Sequence, residues 1–294
     1  MGLKQSSKIK GRCITMQTAF LAVCLATSLF TSLFTSPFTA TDLMQPAAAA
    51  PRRSDYLAYD RFRTTSEATP AAVEKYKQAL TLYDNQDMDG AIVKFQELLK
   101  MAPKCAGAYY SMGASYMWND DYQKALDAFN KGVALAPTDF ELRYRRAFAF
   151  ISLLKYTQAI EDLDIAIKMR PERTDAIKLR AKCYLGLKKP DKAAENFGLC
   201  IKINPNDSEA YISRAQAYLE QKKFQEALKD TTFMTQKVPD EGLGFFLHGK
   251  ALMGLKRYKE AATAFDRAIS VGTEHSRDCL TMKRECHQLL GKSK

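Results

Sequence analysis

The residues able to make or break bonds are few and scattered. The 294-residue chain holds three histidines, His248, His275 and His287, and none stands in an HExxH pair that would set zinc beside a general base. No Gly-rich phosphate loop, GxSxG elbow or CxxC pair occurs. Cys13 and Cys24 lie near the N-terminus, and Cys105, Cys183, Cys200, Cys279 and Cys286 make an odd set in the body. A buried free thiol is the default for such residues. Cys279 and Cys286 are seven residues apart, roughly 10 Å along one helix, which is too far for a disulfide. Whether Cys183 and Cys200 approach each other is open, and Cys286 with His287 and Cys279 makes a poor zinc set. No catalytic residue, cofactor or metal is therefore expected. The chemistry left is recognition, by side chains that recur at one interval: Tyr76, Tyr110 and Tyr144, and separately Arg146, Arg180 and Arg214, each 34 residues after the last.

The same interval runs through the elements that must carry those side chains. Pro103, Pro137, Pro171, Pro205 and Pro239 are each 34 residues apart. Ala91, Ala125, Ala159, Ala193, Ala227 and Ala261 share the period, as do the small residues Ala79, Gly113, Ala147, Ala181, Ala215 and Gly249. Large residues fall opposite them: Phe95, Phe129, Leu163, Phe197 and Phe265, with Thr231 the one departure. Small against large across a helix pair lets two helices approach and interdigitate at core density. A period of about 34 residues is that of a helix–turn–helix repeat. The spacing predicts an all-α fold, an α-solenoid of six units at 72–105, 106–139, 140–173, 174–207, 208–241 and 242–275. Thr69-Pro70 predicts the first helix start, and 276–294 reads as a capping helix and tail with a polar outer face.

The pattern Tyr109, Met112-Gly113, Tyr116, Ala125, Phe129, Pro137 resembles the tetratricopeptide repeat (TPR), and the resemblance spans about residues 72–275 in six consecutive units. It implies a right-handed superhelix whose first helices line a concave, non-enzymatic binding groove. In that family positions two, five, six, nine, twelve and thirteen commonly face the groove. Carried onto this chain, the groove residues are Tyr76, Lys77, Tyr110, Trp118, Tyr144, Arg145, Phe148, Lys178, Lys182, Gln216, Phe246 and Lys250. The N-terminal half would be aromatic and the middle more basic, suiting an extended peptide with aromatic or acidic character. The tyrosines have a plainer reading, as rings packed between adjacent first helices. The clamp by which some family members hold chaperone tails needs a Lys/Asn/Asn/Lys/Arg set that no three consecutive units supply. Arg145 fits one position of it, but Glu141 stands where a lysine is required. Arg146, Arg180 and Arg214 sit at a seventh position that is usually apolar, and their stems are expected to pack while the guanidinium groups reach nearby carboxylates.

Net charge is +11, of which the first 50 residues hold +3 and the rest +8. Basic and acidic residues interleave along the helices, and no nucleic-acid motif is present. Residues 1–50 have a basic start, an apolar run and an Ala-rich exit near Ala48 and Ala49. That is the layout of a secretory signal peptide, which predicts an exported protein. An uncleaved membrane anchor, an organelle transit peptide and lipidation at Gly2 or Cys24 are alternatives. Pro51 to Pro70 reads as a linker, with Tyr56, Tyr59 and Phe62 at helical spacing. Asn206-Asp207-Ser208 is a glycosylation sequon if the chain meets that machinery. The leading expectation is an exported or tethered scaffold that binds a peptide in its groove. The alternative is a structural or assembly subunit acting by self-association or through its convex face.

Overall fold

The computed structural model describes Phe62 and residues 66–292, all within one compact unit, Met44–Lys294. The expectations for residues 1–61 lie outside the described residues. Thirteen helices follow one another among the described residues: α1 Pro70–Asp84, α2 Met88–Met101, α3 Ala106–Trp118, α4 Tyr122–Leu135, α5 Phe140–Ser152, α6 Tyr156–Met169, α7 Thr174–Gly186, α8 Pro190–Ile203, α9 Ser208–Glu220, α10 Phe224–Lys237, α11 Gly242–Gly254, α12 Tyr258–Val271 and α13 Ser276–Lys292. Each helix packs on the next, so the array is an all-α solenoid of helix pairs. From α3 on, the first helices begin 34 residues apart, and the second helices do so throughout.

Several helix starts are capped by the residue before them. Thr69 Oγ1 accepts from the Ala72 amide at 3.2 Å, and Asp87, Asp139 and Asp207 accept likewise from Gly90, Leu142 and Ala210. These bonds satisfy amides that the first helical turn leaves unpaired. The turn inside each pair is built another way. Gln86, Asp120, Leu154, Lys188, Lys222 and Lys256 all adopt positive φ, between 57° and 62°. In each turn the left-handed residue donates its amide to a carbonyl three residues back, and the next residue donates five back, as in Lys222 to Leu219 and Lys223 to Tyr218. That is a Schellman motif, which favours glycine, and here every instance carries a side chain.

The small-against-large reading holds in detail. Ala79, Ala91, Ala125, Ala147, Ala159, Ala181 and Ala215 are fully buried, as are Phe95, Phe129, Leu163, Phe197 and Phe265. A Cβ added at Gly113 would lie 2.6 Å from the Phe129 ring, so this unit tolerates only glycine there. Thr231 is buried where its counterparts are mostly phenylalanine, and its hydroxyl donates to the Ala227 carbonyl at 3.0 Å and meets His248 Nδ1 at 3.0 Å. The arginine column pairs as expected. Arg146 donates to Asp162 at 2.6 and 2.7 Å and Arg214 to Asp230 at 2.8 and 2.7 Å, each carboxylate lying 16 residues on, in the following helix; Arg180 donates to the Asn196 amide oxygen at 2.8 Å, 16 residues on, and finds its carboxylate at Asp164, 16 residues back, at 2.5 Å. Asp162 also accepts from Arg143 at 2.9 Å.

The five described cysteines are buried free thiols. Burial pushes Cys183 and Cys200 up to about 12, and Cys105 and Cys279 up to about 11, so they stay protonated and unreactive. Cys279 and Cys286 pack α13 onto the last repeat. No described helix is long and apolar enough to cross a membrane.

Candidate functional site

Neighbouring first helices touch directly at α3 and α5, α5 and α7, and α9 and α11. This lateral packing brings residues of adjacent repeats together across one face. Its clearest product is a pair from successive units: Arg145 Nε donates to Tyr110 Oη at 3.3 Å. Arg145 is half-buried. Burial works against its charge, and the phenol oxygens of Tyr110, Tyr83 and Tyr144 more than offset this, holding the guanidinium above its ordinary value. Among the described residues no carboxylate lies within ion-pair distance of it, although nearly every other arginine of the central repeats has one.

The remaining predicted residues divide by environment. Tyr76 is fully buried, with its ring edge-on to Phe95 at 5.9 Å, and Tyr110 is buried, tilted over Phe129 at 6.4 Å. Tyr144 is half-buried and stacks nearly parallel on Phe140 at 5.8 Å. The first two rings of the ladder are thus packing elements, and Tyr144 keeps part of its surface. Phe148 is half-buried against the core of the third repeat. Gln216 is buried, and Lys77 and Trp118 are exposed.

The basic middle differs from the sequence reading. Lys178 bonds Glu209 at 2.6 Å and lies 3.3 Å from Asp207, and Lys182 lies 3.5 Å from the same Glu209. Burial opposes the charge of Lys178, but Glu209 keeps its pKa raised; Glu209 is correspondingly lowered by Lys178 despite its own burial. The physical reason is register: Glu209, at the second position of one repeat, faces the fifth position of the repeat before it. These lysines therefore hold their own counter-charges. Glu209 was legible as an acid 31 residues after Lys178, but only side-by-side first helices make that separation a contact.

At the C-terminal end Phe246 is buried, its ring stacked on His275 at 4.4 Å. Lys250 Nζ sits 5.4 Å from the Phe246 centroid, and burial lowers its pKa. The approach to α13 thus covers the fifth position of the last repeat with an imidazole, a contact the sequence reading did not contain.

Among known proteins, family models described as tetratricopeptide repeat match residues 76–140, 112–183, 197–229, and 179–207 with 244–271. Comparison with curated protein sequences finds no match. Several solved structures are similar. YrrB, described as a TPR protein with an unusual peptide-binding site, is 18% identical with a TM-score of 0.57, covering 65% of this chain and 97% of that one. MamA is 25% identical with a TM-score of 0.51, covering 62% and 96%. The pilF protein of Pseudomonas aeruginosa is 16% identical with a TM-score of 0.57, covering 80% and 99%. These likenesses carry the fold, a solenoid of stacked helix pairs.

Proposed function

This chain belongs to the tetratricopeptide-repeat family, a class of interaction scaffolds, and on that premise we propose that its concave face takes an extended partner peptide bearing an acidic group. Arg145 receives that group between Tyr110 and Tyr144. The observation that carries the reading is the setting of Arg145: half-buried, bonded to the Tyr110 hydroxyl at 3.3 Å, and without an ion-paired carboxylate among the described residues. A partly desolvated guanidinium gains most from a bidentate carboxylate, because its donors are otherwise left short of acceptors. Lys178 and Lys182 are weaker candidates, since a ligand would have to displace Glu209. Tyr144 and Phe148, both half-buried, offer apolar surface beside the cation. YrrB, similar in fold, is itself described as having a peptide-binding site.

Peptide display against the wild-type chain and against Arg145→Ala tests this. Sequences enriched on wild type should carry Asp, Glu or a free C-terminal carboxylate together with an aromatic residue, and the variant should not enrich them. Equal enrichment of the same peptides on both proteins would remove Arg145 from the site.

A second reading has one observation behind it. Ile165, Leu199 and Ile203 on the second helices α6 and α8 are 38%, 41% and 44% exposed, an apolar surface that an assembly partner or a second copy could cover. Light scattering on the purified chain decides whether it self-associates. The N-terminal segment adds the compartment: export by a signal peptide ending near Ala48 or Ala49, read from its charge and apolar run. Intact mass of the chain from its native host checks this, the exported form beginning near residue 50.

A further inference from the structure

The arginines at the seventh position of three successive repeats turn Nη1 toward the residue 16 before them, on the second helix of the preceding repeat. Arg146 Nη1 donates to Asn130 at 3.1 Å, and Arg180 Nη1 to Asp164 at 2.5 Å. At the next step of the series that place holds Gly198. A Cβ built on Gly198 would lie 3.4 Å from Arg214 Nη1, its one neighbour within 4 Å beyond its own helix. Arg214 closes on Asp230 through Nε and Nη2, as Arg146 closes on Asp162. Its Nη1 therefore reaches the same place as its two counterparts, and among the described residues no acceptor stands there.

Packing does not require this glycine. At Gly113, Gly186, Gly249 and Gly254 a Cβ would come within 2.6, 2.6, 2.5 and 2.3 Å of a neighbouring ring. Gly198 lies inside α8 with ordinary room for a side chain, where glycine weakens a helix relative to alanine. Its missing side chain instead opens a cleft of about 680 Å³ between α7, α8 and α9. Arg180, Lys192, Lys202 and Arg214 line it against one acid, Glu195, and Tyr184 and Tyr218 add two rings. Asn196, in the same wall, is a neutral amide where the repeats on either side carry Asp162 and Asp230. Among the described residues neither Lys192 nor Lys202 has a carboxylate within ion-pair distance, and Lys192 Nζ lies 5.5 Å from the Tyr184 centroid. The volume is that of a small-molecule site. A guanidinium donor without an acceptor, beside two ammonium groups, selects for an oxyanion.

We infer that this cleft binds a small organic oxyanion, whose carboxylate or phosphate oxygen accepts from Arg214 Nη1 where Asp164 accepts from Arg180 one repeat earlier. Lys192 and Lys202 attract the charge, and Tyr184 and Tyr218 give the ligand's apolar body a surface. The site shares no residue with the Arg145 site and does not depend on it.

The test is calorimetric titration of the full chain with benzoate and with phenyl phosphate at constant ionic strength. Titrating to about 20 mM covers the millimolar affinities expected of ligands this small. Saturable binding of at least one probe is expected, and which of the two binds more tightly tells carboxylate from phosphate. Spectra of protein labelled with ¹⁵N at glycine place the ligand: the Gly198 peak, identified by its loss in Gly198→Asp, should move with the same affinity. Gly198→Asp supplies the chain's own carboxylate to Arg214 and should weaken the probes at least about tenfold, with a urea midpoint no lower than wild type's. Lys192→Gln/Lys202→Gln changes two exposed residues and should weaken them about threefold or more. Saturation of neither probe, a Gly198 peak that stays still, or affinities unchanged in either variant would overturn the inference.

Discussion

Replacing Lys188, Lys222 and Lys256 with glycine should stabilise the array. Their φ values of 57°, 58° and 62° are in the left-handed region, where a residue with a Cβ is strained by roughly 1–2 kcal/mol. All three are exposed, and among the described residues none makes a salt bridge or side-chain hydrogen bond. Glycine relieves the strain but loses more backbone entropy on folding, about 0.5–1 kcal/mol. The net gain is about 0.5–1 kcal/mol per turn. The three turns sit 34 residues apart without shared partners, so the triple variant should gain roughly 1.5–3 kcal/mol. Urea unfolding followed by circular dichroism reads this as a higher midpoint at unchanged slope. Lys223→Gly is the control: its own φ is −82°, an ordinary value, so no strain is relieved, and glycine there loses the 3.6 Å ion pair to Asp191, so no gain is expected. An unchanged or lowered midpoint in the triple variant, or an equal gain in the control, would refute the strain argument.

Three further outcomes are expected. Asp230→Ala leaves Arg214 without the carboxylate it bonds at 2.7 and 2.8 Å and should cost about 3 kcal/mol, while a paired replacement of Arg214 and Asp230 by leucines costs much less; the same urea titration checks both. Gly113→Ala puts a methyl group 2.6 Å from the Phe129 ring and should cost about 1–3 kcal/mol by overpacking, measured as a drop in thermal midpoint. His248 has a pKa lowered chiefly by burial and then by Arg257. Its neutral form is favoured in the fold, so its stabilisation is present above the ordinary histidine value and lost as pH falls through the lowered one; His248→Gln should flatten the pH dependence of stability in that acidic window.

The architecture was legible because burial demands repetition of residue type. Gly113 against Phe129, or Gly249 against Phe265, can be read from spacing, since nothing larger fits at that helix separation. Thr69 was legible as a cap for the same local reason. The Schellman turns were not, because Leu154 or Lys222 in place of glycine removes the usual signal, leaving only position 34 residues on as a guide. Of the groove, the residue types were legible but not their state. Tyr110 and Tyr144 share a register position, yet one is buried over Phe129 and the other keeps exposed surface on Phe140. Lys178 and Arg145 both read as groove cations. Only the ion pair reaching from α7 to α9 shows that Glu209 neutralises the lysine, while α3 beside α5 gives the arginine a phenol. Charge state in a solenoid groove depends on neighbours about one repeat away, which a pass along one helix does not weigh.

The most direct test of the groove reading is the dissociation constant of a display-selected acidic peptide, measured by calorimetry on wild type, Arg145→Lys and Arg145→Ala. A charge-assisted hydrogen-bonded contact contributes about 1.5–3 kcal/mol, so Arg145→Ala should weaken binding roughly 10- to 100-fold. The lysine variant should fall between, keeping the charge without the bidentate fork. Dissociation constants that agree across all three proteins would contradict the assignment of Arg145 as the receiver of the partner's acidic group.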